Sequence, residues 1–390
     1  MSVKRILLIV LDSCGCGGAT DAASFGDQGA DTLGNTAKAV GGLALPHLAA
    51  LGLGNACTIE GTPPVSAPSA AYGRMQESSN GKDTTTGHWE MAGLKTTKPF
   101  AVFPDGFPAE IIDAFAKETG RGVIGNRAAS GTEIIEELGA QHMQSGEWIV
   151  YTSADSVFQI AAHEEVVSLT ELYAACNVAR RLCDPLRVGR VIARPFVGDV
   201  GNFKRTYNRH DFGMPPSGPT ILDALKAENH AVIGVGKISD IFSGNGLSES
   251  IHSEGNLDGL QKTKERFSRL ESGLVFVNLI DFDSLYGHRR DPEGFAQSLR
   301  EFDGFLPELL GLITRNDLLL ITADHGNDPT YRGSDHTREQ VPILAYGPAG
   351  AAGVNLGTRQ GFYDLAATIA EAFDISPPAL GQSFYGDISS

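Results

Sequence analysis

The sequence predicts an α/β protein with a mostly parallel central sheet flanked by helices, together with a smaller inserted α/β domain. Three observations support this fold class: short apolar runs recur along the chain, helix-like segments separate them, and several runs end in an aspartate. Strands that are apolar on both faces are typical of a parallel sheet that is covered by helices.

The predicted strands follow the apolar runs and cover residues 5–12, 147–155, 190–195, 231–237, 274–283 and 317–326. Helix-like segments between them include 108–117, 170–182 and 292–312. The first run follows two basic residues, as in a signal peptide, but it stops after six apolar residues at Asp12. It is therefore predicted to be a buried strand.

The segment 99–213 interrupts the series of strands that end in an aspartate. It has strands and helices of its own and closes in a turn-rich run at 209–219. We therefore predict an inserted domain at 99–213, with the core domain formed by 1–98 and 214–390.

Composition limits the function classes. The chain has 390 residues, 42% of them hydrophobic, which is enough for two domains. A net charge of −16 disfavours binding to nucleic acid and to anionic membranes. Five unevenly spaced cysteines favour buried thiols over a disulfide framework, and no apolar stretch reaches the ~20 residues of a membrane helix. We expect a soluble, cytoplasmic protein and favour a monomer, without nucleic-acid or membrane partners.

Three predicted strands end in Asp12, Asp283 and Asp324. Ligands of open α/β sheets bind beyond the carboxyl ends of the strands. A single aspartate at such a position is most often a helix cap. Three of them on separate strands, each trailed by glycine or histidine, favour a binding site.

The runs "NLIDFDSLYGHRRDP" (278–292) and "TADHGNDPTYRGSDHTRE" (322–339) combine aspartates with histidines. Carboxylate and imidazole ligands suit manganese, magnesium, iron or zinc better than copper or calcium. Asp281 and Asp335 are further candidates beside the strand-end aspartates. Three aspartates and three histidines could form two adjacent sites, and two ions about 3.5–4 Å apart suit an in-line displacement at phosphorus.

The run "GKDTTTGHWE" (81–90) could supply the nucleophile for such a displacement. A hydroxyl beside metal ions becomes a better nucleophile, whereas Asp and Thr also commonly cap helices. Successive residues of a helical turn point about 100° apart, so at most one threonine can face both ions. The residues themselves leave the choice among Thr84, Thr85 and Thr86 open.

Six runs resemble, in this order, the phosphopentomutase family of the alkaline phosphatase superfamily: "LDSCGCGG", "GKDTTTGHWEMAG", "TSADSVFQIAAHEE", "GKISDIF", "NLIDFDSLYGHRRDP" and "ITADHGNDPTYRGSDHTRE". The resemblance covers nearly the whole chain and implies an alkaline-phosphatase-like core. The superfamily's nucleophile stands three positions before a Gly-His pair, so the resemblance selects Thr84.

The resemblance implies two sets of metal ligands: Asp12, Asp324 and His325 for one ion, and Asp283, His288 and His336 for the other. It implies two Mn²⁺ ions as cofactors, with a phosphorylated Thr84 between them and a pentose or hexose bisphosphate as the activator that phosphorylates it. The implied reaction interconverts α-D-ribose 1-phosphate and D-ribose 5-phosphate, and the 2-deoxyribose equivalents, through a pentose 1,5-bisphosphate. The inserted domain would then act as a cap that excludes water.

A pentose phosphate partner also needs donors for its distal phosphate. The candidates are Arg194, Arg209 and Lys237, each of which is equally well explained as a surface charge. Ser153 and Asp155 resemble the family's sugar-contacting motif. The alternatives are a metal-dependent phosphoglycerate mutase or phosphomonoesterase of the same superfamily and, from another class, a non-catalytic metal-binding or scaffold protein.

Overall fold

The computed structural model describes residues 3–153, 156–347 and 351–389. The chain divides into two compact units, one formed by Met1–Thr97 and Pro216–Ser390 and the other by Lys98–Pro215. The predicted boundaries at 98/99 and 213/214 lie one and two residues from these limits. That the second unit acts as a cap stays a prediction.

In chain order the strands are β1 (Arg5–Leu11), β2 (Ala71–Met75), β3 (Val123–Ala128), β4 (Trp148–Thr152), β5 (Val157–His163), β6 (Arg190–Val197), β7 (Lys204–Arg205), β8 (His210–Gly213), β9 (Ala231–Val235), β10 (Glu249–Ile251), β11 (Gly273–Leu279), β12 (Asp317–Thr322), β13 (Val341–Tyr346) and β14 (Asn355–Arg359).

The helices are α1 (Ala22–Phe25), α2 (Thr32–Ala39), α3 (Pro46–Leu51), α4 (Leu53–Ala56), α5 (Thr84–Met91), α6 (Ala109–Thr119), α7 (Gly131–Ser145), α8 (Leu169–Cys183), α9 (Ile221–Ala227), α10 (Ile238–Phe242), α11 (Asn256–Arg269), α12 (Pro292–Leu310), α13 (Asp364–Ala372) and α14 (Tyr385–Ile388), with a π-helical turn at Phe282–Gly287. The three helices predicted at 108–117, 170–182 and 292–312 are α6, α8 and α12.

The sheet of the first unit has the strand order β10-β9-β11-β1-β12-β13-β2-β14. Its strands are parallel from β10 to β12, β13 is antiparallel to both of its neighbours, and β14 is parallel to β2. Every residue of β11 and β12 is buried, as expected for apolar strands that helices cover on both faces. The predicted mostly parallel sheet is confirmed.

The alignment of three central strands determines where the site forms. β1 pairs in parallel with β11 and with β12, and Arg5 lies opposite both Gly273 and Asp317. At the amino ends of the strands, the Arg5 guanidinium donates to the Asp317 carboxylate at 2.8 and 2.5 Å. The carboxyl ends of β1, β11 and β12 therefore lie side by side at the opposite edge.

The run predicted as a strand at 274–283 is shorter in the structure. β11 ends at Leu279, and a π-helical turn, Phe282–Gly287, follows it. Its characteristic bond runs from His288 N to Asp283 O at 3.0 Å, a spacing of five residues. Asp283 is therefore in this turn and not at the end of a strand, and the wider turn brings its side chain beside that of His288.

The second unit contains its own sheet, ordered β3-β4-β5-β6-β7, with β8 also paired to β6. Aromatic residues such as Phe115, Trp148 and Phe158 are buried in its core. The strand predicted at 147–155 is β4, which ends at Thr152. Asp155 lies outside the described residues.

Two expectations from composition can be compared with the structure. All five cysteines are buried and free, which confirms the predicted thiols. Among the described residues, every helix is too short or too polar to span a bilayer.

Candidate metal centre

The six predicted metal ligands and Thr84 come together at the carboxyl edge of the first unit's sheet. Asp12 directly follows β1, and Asp324 and His325 come just after β12. These three side chains are almost completely buried. We call Asp12, Asp324 and His325 the first ligand set, and Asp283, His288 and His336 the second ligand set.

The first ligand set is arranged around the His325 imidazole. Its Nε2 lies 3.4 Å from Asp12 Oδ1 and 3.4 Å from Asp324 Oδ2. Within the part of the chain that the structure describes, these two buried oxygens have no hydrogen-bond partner. A buried acceptor without a partner costs about 1–3 kcal/mol, and more when it is charged. A cation between the two carboxylates would remove that cost.

The electrostatics of the first ligand set also favour a cation between the two carboxylates. Burial and the neighbouring Asp324 raise the pKa of Asp12. Burial opposes charge on His325, but Asp324 and Asp12 outweigh it and raise the pKa of the imidazole well above its ordinary value. The excess negative charge thus attracts a proton, and a divalent ion could take that proton's place.

The second ligand set is arranged around Asp283. His288 Nε2 lies 3.2 Å from Asp283 Oδ2, and His336 Nε2 lies 3.5 Å from Asp283 Oδ1. His336 Nε2 is buried and has no hydrogen-bond partner among the described residues. The main-chain oxygen of Ser334 lies 2.7 Å from His288 Nδ1, which leaves His288 Nε2 as a ligand atom.

Ligand atoms within 4.8 Å of one another form two groups, Asp283 with His288 and His336, and Asp12 with Asp283 and His325. The group of Asp283, His288 and His336 is identical to the second ligand set. The group of Asp12, Asp283 and His325 differs from the first ligand set because it contains Asp283 where the resemblance implied Asp324. The Asp283 carboxylate therefore lies within reach of both candidate ion positions. Carboxylates and imidazoles in this mixture fit a divalent transition ion.

Thr84 contacts one of these ligands directly. It is the first residue of α5, and its Oγ1 is 3.1 Å from His325 Nε2. Thr86 instead donates its hydroxyl to Asp83 Oδ2 at 2.7 Å, while its N–H donates to Asp83 Oδ1 at 3.1 Å. The helix cap that the sequence allowed is therefore formed by Asp83 with Thr86, and Thr84 faces the ligands.

Asp281 and Asp335, the other carboxylates of the two runs, contact different partners. Asp281 Oδ2 accepts the Asn256 N–H at the start of α11, at 2.7 Å. Asp335 is mostly exposed and pairs with Lys82 at 3.1 Å.

Several polar residues that sequence reasoning did not select support the ligands. Asn327 Nδ2 donates to Asp283 Oδ1 at 2.7 Å, and Arg290 donates to Asn327 Oδ1, also at 2.7 Å. On the other side, Asn278 Nδ2 donates to Asp12 Oδ2 at 2.7 Å. Both asparagines occur inside the two quoted runs, but their residue type alone does not mark them as partners of ligands.

Glu339 is a buried carboxylate that links three loops near the ligands. Its Oε2 accepts the N–H groups of Gly17 and Thr32 at 2.9 Å each. Its Oε1 accepts the hydroxyls of Thr32 and Thr337 at 2.7 and 2.6 Å. Despite these four hydrogen bonds, burial raises the pKa of Glu339 to about 7.

The predicted substrate contacts are divided between the two units. In the second unit, Arg194 is half-buried and donates to Gln159 Oε1 at 3.1 Å. Arg209 makes two hydrogen bonds to the Asp211 carboxylate, at 2.7 and 2.6 Å. Burial and then the nearby Arg209 lower the pKa of Arg194, so these two arginines lie in one cluster.

Two further residues of the second unit, Tyr151 and Arg205, belong to this arginine cluster. The Tyr151 hydroxyl is buried without a hydrogen-bond partner within the described ranges. Ser153, half-buried, follows β4. In the first unit, Lys237 is exposed at the start of α10.

The fold agrees with comparisons to known proteins. The model of the metalloenzyme superfamily matches residues 4–377, so the chain belongs to that superfamily. A solved structure, the PH0037 protein from Pyrococcus horikoshii, aligns with 98% of this chain and 100% of its own at 14% identity and a TM-score of 0.51, which shows a shared fold.

Closer relatives are named phosphopentomutase. The protein from Alkaliphilus metalliredigens is 54% identical over 383 residues, which is 98% of each chain. The one from Symbiobacterium thermophilum is 55% identical over 390 residues, or 99% of each. The chain belongs to the phosphopentomutase family, which confirms the resemblance and the predicted α/β class. Membership of a metalloenzyme family and the two ligand groups indicate a metal-dependent enzyme.

Proposed function

We propose that this enzyme is a phosphopentomutase, an isomerase that interconverts α-D-ribose 1-phosphate and D-ribose 5-phosphate and their 2-deoxy equivalents. The family supports the reaction, and one observation supports the mechanism. Thr84 Oγ1 lies 3.1 Å from His325 Nε2, at the amino end of an eight-residue helix. A nucleophilic hydroxyl and a site that attracts phosphate therefore coincide.

The first and second ligand sets would each hold one Mn²⁺ ion. The buried atoms Asp12 Oδ1, Asp324 Oδ2 and His336 Nε2 accept or donate no hydrogen bond among the residues that the structure describes, and this supports the assignment. When bound, the ions would stabilise charge on the oxygens that attack and leave phosphorus.

In the active form Thr84 carries a phosphoryl group, supplied by a pentose or hexose bisphosphate activator. The free hydroxyl of a pentose monophosphate attacks this phosphorus while the bond from phosphorus to Thr84 Oγ1 breaks, and the proton of the attacking hydroxyl ends on Thr84 Oγ1. The resulting 1,5-bisphosphate turns round. Thr84 Oγ1 then attacks the other phosphorus, which releases the isomeric monophosphate and restores the phosphoenzyme.

Thr84 is well suited to both steps. The cap that Asp83 forms with Thr86 fixes the first turn of α5, so Thr84 Oγ1 is held in place before the reaction. The backbone N–H groups at the start of a helix favour a dianionic phosphate there. Oriented groups of this kind lower the barrier because little reorganisation is needed during transfer.

The remaining assignments are proposals as well. Arg194, Arg209 and Lys237 would contact the distal phosphate, and Ser153 and Asp155 the sugar hydroxyls. The arginine cluster around the Tyr151 hydroxyl supports an anion site within the second unit, because its cations are held close together despite mutual repulsion. The inserted unit is proposed to act as the cap that keeps water from the phosphoenzyme.

The test compares Thr84→Ala with Thr85→Ala. Each variant is incubated with Mn²⁺ and a hexose 1,6-bisphosphate, and intact mass and peptide mapping measure phosphoryl transfer to the protein. Conversion of ribose 1-phosphate is followed in parallel. We expect Thr84→Ala to lose both the label and turnover, and Thr85→Ala to keep both.

Three results would contradict the proposal. Equal loss in both variants would remove Thr84 as the nucleophile. Rapid release of inorganic phosphate without pentose isomerisation would indicate a phosphomonoesterase, and turnover of phosphoglycerate instead would indicate the corresponding mutase. A cytoplasmic location and a monomeric state stay predictions.

A further inference from the structure

His88 lies behind the nucleophile, one helical turn after Thr84 in α5, and its side chain is completely buried. Its Nδ1 is 2.9 Å from the main-chain oxygen of Thr84 and 3.2 Å from Asp324 Oδ2. Its Nε2 is 3.3 Å from Asn278 Nδ2. One imidazole thus contacts the nucleophile's own backbone, a metal ligand and a supporting amide.

The partners determine which ring nitrogen carries the proton. Asn278 Nδ2 also lies 2.7 Å from the Asp12 carboxylate, which can only accept, so this atom is the amide nitrogen and can only donate. His88 Nε2 must therefore accept from it. The Thr84 carbonyl can only accept as well, so His88 Nδ1 must carry the hydrogen.

Packing makes this arrangement stiff. The His88 ring stacks on Phe276 of β11, with 5.6 Å between ring centroids. A Cβ atom at Gly87 would lie 2.3 Å from the main-chain oxygen of Asp324. Helix α5 therefore packs directly against the loop that presents Asp324, and a shift of one displaces the other.

We propose that His88, in its Nδ1–H tautomer, is the positioning residue that couples the Thr84 nucleophile to the first ligand set. Its Nδ1 side orients Thr84 through a hydrogen bond and lies in contact with Asp324 Oδ2. Its Nε2 side orients Asp12 through Asn278. The second ligand set is supported separately, by Asn327 on Asp283 and by the Ser334 carbonyl on His288. Loss of His88 should therefore weaken one of two ions selectively. The inference rests on the proposed two-metal function.

The experiment is a calorimetric titration of the full-length protein with Mn²⁺. Partners that orient metal ligands typically contribute about 10–100-fold in affinity. We expect His88→Ala to lower the affinity of one ion by about that factor and to leave the other unchanged. Asn278→Ala should weaken the same ion. His88→Asn, which restores a donor near the Nδ1 position, should recover part of the loss.

A matched control is His142→Asn, which alters another fully buried, hydrogen-bonded imidazole, in the second unit. It should lower the melting temperature without changing the affinity for either ion. In turnover assays, His88→Ala should reduce kcat far more than it changes KM, because the substrate's own contacts are intact.

The outcomes separate the two proposals. A wild-type protein that binds no Mn²⁺ would contradict the proposed function. If the wild type binds two Mn²⁺ ions and His88→Ala lowers the affinity for both of them, or for neither, the proposed role of His88 is wrong. If His88→Ala does not fold, two measurements still test the role of His88. One is the Mn²⁺ titration of Asn278→Ala. The other is the ¹⁵N spectrum of the histidine rings of the wild type with Mg²⁺, which must show His88 protonated at Nδ1. Protonation at Nε2 would refute the inference.

Discussion

Replacing Glu339 by Gln tests whether burial or hydrogen bonding decides the charge of the Glu339 carboxyl group, which links the loops near the ligands. Gln can keep one oxygen towards the N–H groups of Gly17 and Thr32. Its NH₂ group then faces the hydroxyls of Thr32 and Thr337, which can rotate to accept. The substitution therefore removes the ionisable group. The two hydroxyl hydrogens that donated to Oε1 lose that acceptor, which costs stability by an amount that does not depend on pH.

The size of the effect follows from the pKa of Glu339, which burial raises from an ordinary 4.5 to about 7. Because the folded pKa lies above the unfolded one, Glu339 contributes stability that is complete below pH 4.5 and is lost as the pH rises through 7. A shift of about 2.5 units corresponds to about 3 kcal/mol in the free energy of unfolding. Gln does not ionise, so Glu339→Gln should gain about 3 kcal/mol on the wild type between pH 5 and pH 8.

The assay is chemical denaturation of both proteins at pH 5, 6, 7 and 8, with a chelator present so that bound cations do not alter the carboxylate. Glu308→Gln, which changes an exposed partner of Lys264, is the matched control and should show no such trend. A difference between Glu339→Gln and wild type that stays constant over this range would refute the reasoning. It would mean that the four hydrogen bonds, and not burial, decide the charge of Glu339.

Three other substitutions test further parts of the structure. Asn327→Ala removes the 2.7 Å hydrogen bond to Asp283 and should weaken Mn²⁺ at the second ligand set by about 10–100-fold in calorimetry; unchanged binding would show that Asp283 does not need this support. Asp317→Asn breaks the buried pair with Arg5 and should lower the free energy of unfolding by about 3–5 kcal/mol in chemical denaturation. Hydrogen bonds from Arg5 and Thr314 outweigh burial and lower the pKa of Asp317. The wild type should therefore lose the stability that this pair contributes as the pH falls below 3.8. Arg338→Met leaves the Glu77 carboxylate, 2.5 Å from Arg338, buried without its cation and should also cost about 3–5 kcal/mol; a melting temperature equal to that of the wild type would contradict this.

The sequence was most informative where the signal is local. An apolar run that ends in an aspartate predicts a buried strand, and Asp12 and Asp324 do follow the strands β1 and β12. That these two aspartates bind metal stays a prediction. The π-helical turn at Phe282–Gly287 could not be predicted in this way. A single bond across five residues has no periodic pattern in the sequence.

Partners that are distant in the chain were also missed. Asn327 lies 44 residues from Asp283, and Glu339 lies 322 residues from Gly17. Nothing in one sequence pairs such residues, because the sheet topology alone brings them together. The three threonines show the same limit. Helical geometry left them equivalent, and only the contacts of Thr84 with His325 and of Thr86 with Asp83 distinguish these two.

The placement of β1 between β11 and β12 also affects how the chain can be made. Strand β1 leaves the ribosome before its two neighbours, and Asp317, the partner of Arg5, is synthesised 312 residues after Arg5. At about 5–20 residues per second, this apolar strand waits for tens of seconds without neighbours. The contiguous unit Lys98–Pro215, with its own core, is complete well before then. During synthesis, protection of the nascent amino-terminal strand by a chaperone should therefore matter most for the larger unit.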